Sequence, residues 1–247
     1  MTLIETVIVA FSMFSALPMP RIEWTEKNRR YSLCAFPLVG AVVGLACWAW
    51  QLLCVRLGLP PLLRGAGMCA LPVLLTGGIH LDGFADTWDA LGSHAAPERK
   101  REILKDPHAG AFAVIHLCLY FIVDLALWTA LPDSGALPLV LLFCLSRALS
   151  GLALTLFPLA PGDGLARSFA EAADKRRVRI VLTALSAALA AGLLACGAWA
   201  SVLAAVLVFG AYYRVTVKQF AGLSGVLAGW FLQTAELWML AGLVLMR

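Results

Sequence analysis

Long uninterrupted apolar blocks dominate the chain, at 31–55, 109–131, 136–158, 180–213 and 219–246, with short polar segments between them. They lack the short alternating runs of a β-barrel. A helix needs roughly 20 apolar residues to cross a bilayer, and these blocks supply them. The pattern predicts an all-α fold, a polytopic integral membrane bundle of about seven transmembrane helices. The helices are placed at 31–54, 62–79, 109–131, 137–158, 179–197, 199–213 and 222–246. Residues 2–18 add a short N-terminal apolar segment, interrupted by Glu5 and ended by Pro18 and Pro20, which is compatible with spanning, re-entering or lying in the interface. No basic stretch precedes it and no small-residue cleavage site follows, so a removable signal peptide is not expected.

Composition agrees: 61% of the 247 residues are hydrophobic and 14% charged, against roughly 45–50% and about 25% in soluble domains. The formal charge of +4 is too small to point to nucleic acid. Position matters more than the sum. Fifteen of the nineteen Lys and Arg residues fall in four loops, around Arg21–Arg30, Arg99–Lys105, Arg167–Arg179 and Arg214–Lys218. The predicted helices put all four loops on one face, which the excess of positive charge marks as cytoplasmic. Arg56, Arg64 and Arg247 land opposite, and Arg147 lies inside a span. Seven cysteines are scattered singly through apolar stretches and read as small hydrophobes. Gly40 and Gly44 in PLVGAVVG read as a close helix contact.

The most polar stretch, GGIHLDGFADTWDALGSHAAPERKREILKDPHAGAF, covers residues 77–112. With 82–89 helical, steps of four and seven residues at about 100° each bring Asp82, Asp86 and Asp89 within roughly 60° of one another. Close carboxylates repel, and a divalent cation removes that penalty. Oxygen ligands alone favour Mg²⁺, or Mn²⁺, over zinc. The bland reading is a solvated acidic turn at the boundary. Against it, the basic run Arg99–Lys105 is placed to hold an anion beside a metal, Gly77, Gly78 and Gly83 leave room for a bulky group near the backbone, and Asp106 adds a fourth carboxylate. Charges inside spans are costly. Asp124 and Arg147 lie at similar depth and read either as a structural pair or, for Arg147, as a phosphate clamp; Glu236 is open between structure and site. His116 reads as a satisfied core histidine.

Several segments together resemble the cobalamin synthase family, the adenosylcobinamide-GDP ribazoletransferases, over nearly the whole chain. They are FSMFSALPMP (11–20), FPLVGAVVG (36–44), GGIHLDGFADTWDALGS (77–93), ILKDPHAGAFAVI (103–115), LSRALSGLAL (145–154), DGLARSFAEAADKRRVRI (163–180) and AGLSGVLAGWFLQ (221–233). DGFADTWDA and LKDPHAGAF are specific in combination. The resemblance implies one membrane-embedded catalytic domain over 1–247, with its acidic and basic loop at 80–108, in a prokaryotic plasma membrane. It implies transfer of the corrinoid phosphate of adenosylcobinamide-GDP to α-ribazole or its 5′-phosphate, with release of GMP, late in adenosylcobalamin assembly. Magnesium is the implied cofactor. Asp82 and Asp86 would ligate it, Asp89 would complete the shell or act as base, and Asp106 is the second candidate base. Lys105, Arg147 and Arg167 would bind phosphates, with His80 close by. Other late-pathway enzymes and a second copy of the chain are conceivable partners. Two positions depart from the family pattern: Val226 stands where an aspartate is common, and Ala16 where a basic residue is usual.

Two other readings compete. A CDP-alcohol phosphotransferase of phospholipid synthesis also uses a helical aspartate cluster, but its DGxxAR start is not met, since Asp86 follows Ala85. A cation transporter would use the intramembrane charges, yet the acidic group lies beside basic residues on a loop, and no inverted repeat is visible.

Overall fold

A computed structural model describes residues 3–133, 135–161 and 164–245. Twelve helices are found in the described residues, α1 Leu3–Phe14, α2 Glu26–Arg29, α3 Ser32–Arg56, α4 Pro61–Thr76, α5 Ile79–Gly92, α6 Pro97–Ile103, α7 Ala111–Ala130, α8 Ala136–Leu156, α9 Leu165–Ala172, α10 Lys175–Ala195, α11 Trp199–Phe220 and α12 Gly225–Leu245. Six of them, α3, α7, α8, α10, α11 and α12, are long and apolar enough to cross a membrane. Counting the bent pair α4–α5 as one span brings the number to seven. The all-α membrane bundle is thus the observed class. Position 246 of the last expected helix, Thr2 of the N-terminal apolar segment and Arg247 lie outside the described residues, as do Ser134 and Asp163.

The central helix is α8, most of whose residues are buried. It lies against α3 through the glycines singled out in the sequence. A Cβ at Gly44 would come within 2.6 Å of the Val140 backbone, and one at Gly40 would collide with the Phe143 carbonyl. Only glycine permits that approach. Outward faces carry the lipid-type surface, including exposed Leu119 and Ile122 on α7 and Val206 and Leu207 on α11.

Three boundaries differ from expectation. The second span stops at Thr76, because Gly77 (φ +66°) caps α4 in the left-handed region and Gly78 (φ +74°) caps the start of α5 in the same region. Two such residues in succession turn the chain through 97°; side chains other than glycine rarely adopt that conformation. Helix α11 runs on to Phe220, so Arg214 and Lys218 sit on a helix end rather than in a loop, and Lys175–Arg179 likewise begin α10. Long basic side chains tolerate this, since their stems lie on apolar surface while the charge reaches polar surroundings. The N-terminal segment, for which the sequence left three placements open, is a helix of 12 residues packed on α3. At 1.5 Å per residue it is too short to cross a core of roughly 30 Å.

Candidate functional site

Helix α5 crosses α12 backbone to backbone. A Cβ at Gly83 would stand 2.5 Å from the Val226 carbonyl oxygen, and one at Gly229 would stand 2.9 Å from the His80 carbonyl oxygen. The room expected at Gly83 for a ligand is therefore taken by α12, and Gly77 faces the Ala16 methyl group. These glycines build the turn and the helix crossing. Their effect is to hold α5 rigidly, with His80 buried and Asp82 exposed, while Asp86 and Asp89 are half-buried.

The acidic row behaves electrostatically as one group. Partial burial, then the charges of Asp82 and Asp89, push the Asp86 carboxyl up to about 6, the result expected when carboxylates share a helix face. It is not a preformed three-carboxylate shell, because no group of three or more His, Cys, Asp or Glu among the described residues is placed to hold a metal ion. Positions three and four apart are neighbours on one helix face, but sharing a face does not bring three carboxylates onto one point. Asp89 in addition turns away: its carboxylate packs on Gly110, the N-cap of α7, so closely that a Cβ there would collide with both oxygens. The unpaired amides of a helix N-terminus attract negative charge to that spot. What remains suits a hard cation through one or two carboxylates, with ligand oxygens and water completing the shell, the habit of Mg²⁺.

Beside the row lies a cavity of about 400 Å³, walled by residues of α1, α3, α5, α6, α8, α9, α11 and α12 and of connecting segments. It collects residues distant in sequence: His80 and Asp82, Lys105, Arg167, and also Val226. Of the predicted ligands of phosphate, Lys105 and Arg167 thus reach one space. Arg167 is partly engaged, donating to the Ala160 carbonyl oxygen at 2.9 Å and pairing with Glu171 at 3.1 Å. Arg101, missed as an individual residue, lines the same cavity and reaches the Phe220 carbonyl oxygen at 3.4 Å. Its four-residue spacing from Lys105 was the available signal. Neighbouring Lys100 points elsewhere, donating to Gln219 at 2.5 Å. Asp106 does not line the cavity; it accepts from the His108 amide at 2.9 Å and lies 2.8 Å from its Nδ1, contacts that hold its carboxyl below the usual range.

The intramembrane charges pair differently from expectation. Arg147 meets Glu236, not Asp124, with Nη1 to Oε1 at 2.5 Å and both side chains buried. Ser146 donates to the same Glu236 oxygen at 2.7 Å, and the Phe143 carbonyl oxygen accepts from Arg147 at 3.1 Å. A hairpin register alone placed Asp124 nearest; the packing of α12 against α8 brings Glu236 in instead. Arg147 is 1% exposed and is absent from the cavity wall, so the clamp role has no geometry behind it. Asp124 takes hydrogen bonds from Cys69 and Trp128. His116 is hydrogen-bonded as expected but lies outside the core, half-buried, with Nδ1 2.8 Å from the Phe112 carbonyl oxygen and its ring stacked on Trp88 at 4.1 Å.

A helical membrane bundle that presents an acidic helix beside a cavity rimmed by cations defines a class of membrane-embedded enzyme handling phosphate esters. The family model for cobalamin-5-phosphate synthase matches residues 6–244, and the chain belongs to that family. An adenosylcobinamide-GDP ribazoletransferase of Lachnoclostridium phytofermentans is 39% identical over 95% of this chain and 90% of its own. One from Ectopseudomonas mendocina is 34% identical over 92% and 93%, and one from Desulfitobacterium hafniense is 36% identical over 68% of each. No solved structure matches the chain. The family is neither of the two competing ones, the phospholipid enzymes or the transporters.

Proposed function

We propose that the chain joins the corrinoid phosphate of adenosylcobinamide-GDP to α-ribazole or its 5′-phosphate and releases GMP. The observation that carries this reading is the match to relatives of that activity over almost the full length of both chains. The site supports it chemically. A ribazole hydroxyl oxygen forms a new bond to the phosphorus next to the corrinoid, the bond from that phosphorus to the GMP oxygen breaks, and the hydroxyl proton passes to a carboxylate, that of Asp89 or Asp106. Arg101, Lys105 and Arg167 line the space where phosphate charge would sit. Asp82 and Asp86 would hold Mg²⁺, which when bound neutralises charge on the departing phosphate. Asp89, packed on Gly110, and Asp106, held by His108, stand as the two candidate bases of the sequence reading.

The acidic row is assigned to the cytoplasmic face of a prokaryotic membrane, on the strength of the basic residues clustered on its side. Purified protein in detergent, given adenosylcobinamide-GDP, ribazole phosphate and Mg²⁺, is expected to release GMP and form the joined corrinoid. Absence of both products from folded protein would overturn the assignment. Labelling of a Ser93→Cys variant from the cytoplasmic side only, in inverted and right-side-out vesicles, checks the orientation.

A further inference from the structure

We infer that the polar ends of α10 and α11 hold the headgroup of one anionic phospholipid, in a lipid-facing cleft floored by the end of α8. No residue of α10 lines the cavity beside α5, and the inference stands apart from the transferase reading. Helix α10 starts on a run of cations. Lys175, Arg176, Arg177 and Arg179 are exposed, and the first turn holds no acidic residue. The free amides of a helix N-terminus are already positive, so cations placed there are unfavourable. Asp174, the N-cap, offsets part of this charge, but it is shared between Arg30 and Arg177. Lys175, Arg176 and Arg179 form no ion pair among the described residues, and neither do the exposed Arg214 and Lys218 at the end of α11. No Asp or Glu occurs anywhere from Lys175 to Phe220, so this helical hairpin has no acid of its own to neutralise them.

Positive charge on one face is ordinary in a membrane protein; its concentration on both walls of one cleft points to a ligand. Helix α10 packs chiefly on α8 and α11 chiefly on α12, while the two touch each other little. The last residues of α8 close the gap between them. Arg179 donates to the Thr155 carbonyl oxygen, and two residues further on the Phe157 ring lies 5.1 Å from that of Tyr213. Arg179 and Tyr213 therefore reach the α8 end from the two walls. Lys175 stands one turn from Arg179, and Lys218 one turn from Arg214, so each wall carries a pair of cations on one helix face. Below them the surface is apolar, with Ile180 exposed on α10 and Val206 and Leu207 on α11. Exposed Tyr213 lies between the charges and the apolar surface, at the level where tyrosine meets the headgroup boundary. Cations, tyrosine and hydrocarbon surface follow one another in the order of a phospholipid's phosphate, glycerol esters and acyl chains. A free phosphate would use only the first of the three. Each basic residue near the membrane surface strengthens the hold on an anionic lipid by about fivefold, and a zwitterionic headgroup gains little of this.

The test is native mass spectrometry of the full chain, released from mixed micelles holding phosphatidylglycerol and phosphatidylcholine in equal amounts. The protein is expected to retain a single phosphatidylglycerol in preference to phosphatidylcholine. Arg214→Gln with Lys218→Gln should weaken that retention about 25-fold, and Lys175→Gln about fivefold. Arg21→Gln with Lys27→Gln removes as much charge from exposed positions outside the cleft, and should leave retention unchanged. Equal weakening by this second pair would reduce the effect to diffuse surface attraction and overturn the inference, as would equal retention of the two lipids. Displacement of the lipid by excess inorganic phosphate would make the ligand a free anion and overturn it too. Phosphatidylglycerol, and not phosphatidylcholine, should also raise the melting temperature of the unsubstituted protein in detergent, a measurement that needs no variant to fold; an equal response to both lipids would sink the inference.

Discussion

Two groups of carboxylates occupy this molecule, and they are arranged in opposite ways. In the bundle interior Glu236 is closed off by Arg147 and Ser146, and Asp124 by Cys69 and Trp128. On α5 the carboxylates of Asp82, Asp86 and Asp89 have each other as neighbours, with no cation paired to them among the described residues. Burial explains the first arrangement, since an unpaired ion inside a membrane protein is too costly to keep. The second leaves repulsion unrelieved at an accessible face. A charge neutralised within the fold stabilises it, whereas one left unneutralised is available to something that arrives.

The sharpest break of this contrast is Glu236→Ala, which strands Arg147 and is expected to cost about 3–5 kcal/mol. The double variant Glu236→Met with Arg147→Met should recover most of that loss in thermal unfolding in detergent, and retain GMP release if the pair is purely structural. Next comes Asp82→Asn, expected to cut GMP release by about 10²–10³-fold with the melting temperature preserved or raised; near-normal turnover would remove Asp82 from the chemistry. A smaller effect is expected at Val226, which shares the cavity wall with Asp82. Val226→Asp should lower the Mg²⁺ concentration for half-maximal activity by roughly threefold to tenfold, because added ligand charge tightens cation sites. An unchanged Mg²⁺ dependence would make the valine neutral.

The smallest effect is on stability against pH without metal. Asp86 is raised from its ordinary range to about 6, so the folded state binds its proton more tightly than the unfolded chain does. Stability from this source is present below the unfolded value and is lost as pH rises through about 6. Melting in chelator should therefore fall between about pH 4 and about pH 7, and Asp89→Asn should flatten the fall. An equal slope in that variant would show that Asp89 does not contribute to the shift, leaving burial and Asp82 as its causes.

Much of this was legible in the sequence because membrane helices are written in long apolar runs, and because Gly40 and Gly44 mark a contact only glycine can make. The shared face of the α5 aspartates was legible for the same reason of periodicity. Partner choice inside the bundle was not. Asp124 and Arg147 lie at matching depth in consecutive spans, but Glu236 on the last helix comes closer, and only the packing of three helices decides it. The convergence of Arg101, Lys105 and Arg167 on one cavity depends equally on long-range packing. Gly83 misled because a glycine that admits a ligand and one that admits a neighbouring helix look alike in sequence.

The double-glycine bend has a further consequence for how the protein tolerates change in length. Helix α4 has 16 residues, and the acidic row hangs from its end. One residue inserted before Gly77 would lift the row by about 1.5 Å and swing it by about 100° around the α4 axis. It would also pull Gly83 out of step with Gly229. An insertion in the exposed stretch after Gly92 would leave all of these in place. The span and its bend thus act as a ruler, and the depth of the acidic row is set by counting residues from Pro61.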